Sequence, residues 1–128
     1  MSEGVPPRVS DFILAHVDSI ELLEVILMLA AQPGTAFTTV EVSDHLRTAP
    51  SSAANRLTML RDHKLVDVLP GDRYRVRADP ELAKLLGEVA QAYRDWRLKV
   101  VTLIYSRPSD VVRVFTNAFL LKKGPKDG

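Results

Sequence analysis

The stretch "IELLEVILMLAAQ" constrains this chain more than any other. Plotted at 100° per residue, only Glu21, Glu24, Met28 and Gln32 make a plausible wet strip, and the rest of the helix is apolar. A helix buried on so many sides must be covered by more than one partner element. Asp18 followed by Glu21 resembles a capping box ahead of it, and "PG" at 33–34 ends it. Upstream, Ser10 or Asp11 can cap a shorter helical segment, "FILAHV".

At 128 residues the chain is expected to form one domain, enough for a real core but not for two. Its 17 basic side chains nearly balance its 16 acidic ones, so any attraction for a polyanion has to come from local asymmetry. That asymmetry exists. Residues 1–32 set Arg8 against Glu3, Asp11, Asp18, Glu21 and Glu24. Residues 47–77 set Arg47, Arg56, Arg61, Lys64, Arg73, Arg75 and Arg77 against Asp62, Asp67 and Asp72. The absence of cysteine excludes disulfides, thiolate metal sites and a cysteine nucleophile. The opening Met-Ser-Glu-Gly lacks the basic flank of a signal peptide. The longest apolar run, residues 25–31, falls far short of the roughly 20 residues a bilayer requires. A soluble, cytoplasmic protein without membrane contact is expected.

The centre of the chain reads "TTVEVSDHLRTAPSSAANRLTMLRDHKLV". Thr38-x-x-Glu41 is a second capping-box pattern, and Val42 and Leu46 sit one turn apart with small Ser43 between them. Residues 47–50 separate this short helix from the next. Pro50 can begin that next helix, because its missing N–H is not needed in a first turn. There Ala53, Leu57, Leu60 and Lys64 align on one face, with Ala54 and Arg61 at its margins. Ser51, Ser52, Asn55, Arg56, Met59 and Asp62 make the other. Two short helices in this arrangement form a helix-turn-helix.

"VLPGDRYRVR" follows as a hairpin. A three-residue loop at Pro70-Gly71-Asp72 sets Asp67 opposite Arg75, and pairs Val66 with Val76 and Val68 with Tyr74 on the other face. This register turns every apolar residue of the hairpin except Leu65 and Leu69 inward. It leaves Arg73 and Arg77 unneutralised on the outer face. After Asp79-Pro80, a cap and a first-turn proline, one long helix is expected to about residue 106. Leu82, Leu86, Val89, Tyr93, Trp96, Val100 and Leu103 step by four and three alternately, the spacing of a coiled-coil seam. Such a helix spans ~40 Å at ~1.5 Å per residue. "SRPSD" then breaks the chain, and Ser109 caps a last helix, "DVVRVFTNAFLLKK". Lys122 and Lys123 sit at its negative end and Gly124-Pro125 stops it.

This order of elements, with "FTTVEVSDHLRTAPSSAANRLTMLRDHKLVDVLPGDRYRV" at its centre, resembles the bacterial winged-helix transcription regulators of the MarR and ArsR type. The resemblance spans residues 12–123. It is carried by Val42-Ser43-Asp44-His45-Leu46 and by the rhythm of Leu57, Leu60, Leu65 and Val66. The segment "IYSRPSDVVRVFTNAFLLKK" is similar to the tail of many small bacterial winged-helix proteins. The implied fold is mainly α with a small β-hairpin wing: a winged helix-turn-helix with N-terminal helices and two C-terminal helices. The expected divisions are N-terminal helices over 9–32, helix-turn-helix and wing over 36–78, dimerisation helices over 80–123 and a tail over 124–128. The resemblance implies a helix from Pro50 in the DNA major groove, a hairpin along phosphates, and outer helices that make a two-fold dimer.

Carried over residue by residue, the candidate DNA contacts are Ser51, Ser52, Asn55 and Arg56 on the helix, and Arg73, Arg75 and Arg77 on the wing. Asn and Arg suit bidentate contacts with adenine and guanine, whereas wing arginines neutralise phosphates without choosing sequence. Arg75 is expected to answer Asp67, which leaves Arg73 and Arg77 the clearly available pair. Met59 in the middle of the outward face and the wrong sign of Asp62 weigh against contact between the helix and DNA, and the alternative is a solvated face or one that meets protein. DNA contact is the preferred reading. A charged edge strand is also common as simple protection.

The seam from Leu82 to Leu103 is read as the dimer interface, with Tyr93 and Trp96 as anchors, although it could pack wholly against the first helices. The expected partners are therefore double-stranded DNA, a second copy of the chain, or another regulatory protein. A small molecule at the junction near Tyr93 and Trp96 is a third possibility. His16, His45 and His63 lie on separate helices without ligand spacing, so no metal or other cofactor is expected. No glycine-rich phosphate loop, Ser/His/Asp set or paired carboxylates occur, so the chain does not read as an enzyme.

Overall fold

The computed structural model describes residues 4–106. The expected last helix, with Ser109, Lys122, Lys123 and its Gly124-Pro125 stop, lies outside the described residues, as does Arg107-Pro108. Within them run α1 (Pro7–His16), α2 (Ile20–Ala31), β1 (Phe37–Thr38), α3 (Thr39–Leu46), α4 (Pro50–Asp62), β2 (Val66–Leu69), β3 (Arg73–Val76), α5 (Pro80–Asp95) and α6 (Arg97–Ser106). This is the expected winged helix-turn-helix.

The N-terminal helices start from different caps than the sequence suggests. α1 begins at Pro7, after extended Pro6, not at a Ser10 or Asp11 cap. α2 is capped by Ser19 rather than Asp18: its Oγ accepts from the Leu22 N–H at 3.1 Å. Met28 is buried, so the wet strip of α2 narrows to Glu21 and Glu24, with Gln32 just past the helix end. Leu22, Leu23, Val25, Ile26 and Leu29 are all buried, beneath α3, α4, α5 and β3. Burying one such side chain contributes roughly 1.5–3 kcal/mol. α2 is therefore the hub on which the helix-turn-helix, the sheet and the C-terminal helices all rest.

The sheet has strand order β1-β3-β2 and is antiparallel throughout. The expected hairpin register is present: Val66 pairs with Val76, Asp67 with Arg75 and Val68 with Tyr74. Gly71 and Asp72 take positive φ of 85° and 52° in the loop, which glycine and aspartate tolerate better than other residues. The inward set differs from expectation at both ends. Leu65 is buried, because its N–H returns to the Leu60 carbonyl and pulls it under α4, while Val68 near the wing tip stays 44% exposed. β1 adds Phe37 opposite Tyr74, tying the wing to the entrance of α3.

The single long C-terminal helix is not observed. Trp96 leaves helical geometry (φ −131°, ψ 44°) and divides it into α5 and α6. Leu82, Leu86, Val89 and Tyr93 keep the expected seam, and α5 packs them against α1 and α2. Past the break the buried pair is Val100 and Ile104, with Trp96 and Leu103 only half-buried. Breaking at Trp96 lets α6 pack against α1 as well as α5. The Arg97 guanidinium lies over the Tyr93 ring at 4.2 Å and donates to its hydroxyl at 3.1 Å, bracing the junction.

Candidate nucleic-acid interface

The helix-turn-helix is assembled by short-range chemistry. Thr38 and Glu41 form a complete capping box on α3: the Glu41 N–H donates to Thr38 Oγ1 at 3.2 Å, and the Thr38 N–H donates to the Glu41 carboxylate at 2.8 Å. Ser43 is buried where α3 meets α4, and its hydroxyl is satisfied by the Val40 carbonyl at 3.0 Å. Arg47 then takes the left-handed conformation (φ 58°, ψ 46°), ends α3 and stays exposed. α4 starts at Pro50 and buries Ala53, Leu57 and Leu60. His63 is its C-cap, and Lys64 just beyond takes a second left-handed conformation (φ 63°), so Lys64 lies past the helix end instead of extending its apolar face.

The four side chains expected to read bases divide into two pairs. Ser51 and Asn55 are exposed. Ser52 and Arg56 are turned toward α2 and held there by Glu21. The Ser52 hydroxyl donates to the Glu21 carboxylate at 3.0 Å, Arg56 Nε donates to it at 3.0 Å, and the Thr48 hydroxyl donates to its other oxygen. Those donors, the Thr48 hydroxyl foremost, hold the Glu21 carboxyl below the usual carboxylate range despite some opposing desolvation. Met59 is half-buried against the core, its sulfur 3.7 Å from Arg56 Nη1, so it does not stand in the middle of an outward face. Asp62 is paired with Arg61 at 3.1 Å, which offsets its sign.

The three wing arginines also differ among themselves. Arg73 is exposed and only donates to the Pro70 carbonyl at 3.2 Å. Arg75 faces Asp67 at 3.9 Å, as the cross-strand register requires. Arg77, expected to be unneutralised, is pinned: it donates to Asp79 at 2.7 Å and to the Lys64 carbonyl at 2.5 Å. The Arg77 hydrogen bond, followed by the Glu81 N–H, lowers the Asp79 pKa. The reason is geometric: Asp79 sits two residues beyond Arg77 and faces back to cap α5.

Comparison with solved structures fits this geometry. A MarR-family protein of Mycobacterium tuberculosis, Rv2887, superposes at TM-score 0.54 and 18% identity, covering 94% of this chain and 85% of that one. The same protein solved in complex with DNA gives TM-score 0.52 and 17% identity, with 94% and 88% covered. The multiple antibiotic-resistance repressor MarR of Listeria monocytogenes gives 0.52 and 14%, with 91% and 83% covered. The fold is the MarR-type winged helix. No family model and no curated protein matches the chain.

On this MarR-type frame two side chains have surroundings that the sequence does not announce. Arg47 carried no signal beyond membership of the basic segment, since its exposure depends on the left-handed turn. Glu21 read as part of a capping box and of the solvated strip of α2, not as a partner for α4. A second contact bridges distant helices: His16 Nδ1 lies 2.8 Å from His63 Nδ1, joining the end of α1 to the C-cap of α4. Burial first, and the neighbouring His63 second, lower the His16 pKa. Among the described residues no group of three or more His, Asp or Glu side chains could hold a metal ion. No helix there is long and apolar enough to cross a membrane. The hollow beside Trp96 measures about 170 Å³ and does not include Tyr93. That is below the ~300 Å³ at which small-molecule pockets begin.

Proposed function

We propose that this protein is a DNA-binding transcription regulator in which the start of α4 reads bases and the wing grips a flanking phosphate. The observation that carries the reading is the set of side chains left available: Arg47, then Ser51 and Asn55 one helical turn apart, and Arg73 at the wing tip, all exposed. Asn55 supplies the paired donor and acceptor that match adenine in the major groove. Arg47 and Arg73 supply phosphate contacts. Arg75 and Arg77 hold the wing in place and contribute little direct contact. The alternative, a protein-docking module centred on Met59, loses its anchor because that side chain packs inward.

The regulator acts as a two-fold dimer in this proposal, reading a pseudo-palindromic site with half-sites about one helical turn apart. The expected seam residues Leu82, Leu86, Val89, Tyr93 and Val100 are covered within the protomer. Trp96 and Leu103 are half-buried. The surface better suited to a second copy lies on α6, where Leu98 and Tyr105 are 78% and 60% exposed and, seven residues apart, share one stripe.

The deciding experiment measures binding to random genomic duplexes across a salt series and sequences the retained fragments. Enrichment of an inverted-repeat site, with affinity falling steeply as salt rises, is the expected outcome. No retention of duplex at low salt would sink the reading.

A further inference from the structure

Thr48, Ser52 and Arg56 lie four residues apart in succession, and all three send a donor to one carboxylate on a different helix, Glu21. Both ends of the ion pair are largely withdrawn from solvent: the side chains of Arg56 and Glu21 are 24% and 23% exposed. Ser51 and Asn55 form the neighbouring stripe, displaced by one residue, or about 100° around the helix. Either stripe has the chemistry to read DNA. The stripe of Ser52 and Arg56 is the more cationic, yet it is occupied by an anion that would also repel an approaching phosphate.

We propose that Glu21 is the positioning residue that decides which stripe of α4 meets a duplex: it takes Ser52 and Arg56 out of contact and leaves Ser51 and Asn55 to read. This inference rests on the regulator reading and deepens it. Two consequences follow from the charges. Arg56 adds nothing to the salt dependence of binding while Glu21 is ionised. Removing the Glu21 charge frees Arg56 as one more phosphate contact, which adds affinity without sequence choice and blurs the preference set by Asn55.

The test compares Glu21→Gln, Arg56→Ala and the double variant with the unaltered protein. Gln is nearly isosteric but keeps a single acceptor oxygen. It can go on accepting from only one of the two hydroxyls that donate to the separate Glu21 oxygens, and the other hydroxyl accepts from its amide N–H instead. The readouts are the slope of log K against log salt and the spread of selected sequences, with melting temperature followed in parallel. Glu21→Gln is expected to steepen the slope by about one unit and broaden the selected set. Arg56→Ala alone should leave the slope unchanged, and the double variant should return to the unaltered slope. A buttressing role alone would move the melting temperature and not the slope.

An unchanged slope and sequence set in Glu21→Gln overturns the inference, as does a fall of about one unit in Arg56→Ala alone. In the free protein the Arg56 Nε–H should exchange slowly by NMR and become fast in Glu21→Gln. Fast exchange in the unaltered protein overturns the clamp whatever the DNA result. Absence of duplex binding by the unaltered protein overturns the regulator reading and this role together, whereas binding with an unaltered slope in Glu21→Gln overturns this role alone.

Discussion

α4 and the wing both pair arginines with carboxylates, but those carboxylates lie at very different distances along the chain. On α4, Arg56 is drawn inward by a carboxylate from another helix, and the exposed side chains proposed to read bases are the uncharged Ser51 and Asn55. On the wing, Arg77 is held by a carboxylate a turn away and Arg75 faces one across the strand at 3.9 Å without a hydrogen bond to it, while Arg73 at the tip is left to a backbone carbonyl. In both places the rule is the same: an arginine is available only where no carboxylate is within reach. The difference lies in the distance along the chain to that carboxylate. It is two residues for Arg77, eight for Arg75 and thirty-five for Arg56.

The comparison can be broken at its base by Leu57→Ala, which empties a fully buried site under α4. A loss of about 2–5 kcal/mol is expected in denaturant unfolding. A loss under ~1 kcal/mol would mean that α4 is not seated as described. Next in size, Asn55→Ala should cost about 1–3 kcal/mol at one base position of the preferred site. Ser52→Ala, on the inward stripe, should leave sequence choice unaltered. Equal effects from the two would erase the division of α4 into reading and anchoring stripes.

Within the wing the sharper contrast is between Arg73→Ala and Arg77→Ala. The first should flatten the salt slope by about one unit at constant melting temperature. The second should lower the melting temperature slightly and leave the slope alone. Interchanged results would show that Arg77 leaves Asp79 to bind phosphate.

The smallest effect expected is on pH dependence. Folding lowers the His16 pKa, so the stability contributed by neutral His16 is present above the ordinary imidazole value of about 6.5 and is lost as pH falls through the lowered one. Melting temperatures should decline from about pH 7.5 toward about pH 5, and His16→Phe should flatten that decline. A slope unaffected by the substitution would remove the α1–α4 contact as its source.

Element order was legible because each element carries its own local signal. The capping box at Thr38 and Glu41, the first-turn prolines at Pro50 and Pro80, and the Pro70-Gly71-Asp72 loop act over a few residues and are found as read. Where two neighbouring residues could serve one role, the reading slipped: Ser19 took the cap from Asp18, because only its hydroxyl reaches the Leu22 N–H. Trp96 shows a different failure. A perfect heptad from Leu82 to Leu103 is compatible with a straight helix, and nothing in its spacing encodes that α1 is short and must be covered from two directions.

The residues by themselves determined that this chain builds helices around one apolar hub and sets a three-residue loop between paired strands, since backbone propensity and turn chemistry act locally. Only the packed structure decided which polar side chains remain for a ligand. Glu21, Ser52 and Arg56 belong to different helices, and their meeting depends on how α2 crosses α4. A charge is neutralised by whatever lies within a few ångströms in space, and sequence separation places no limit on what that is.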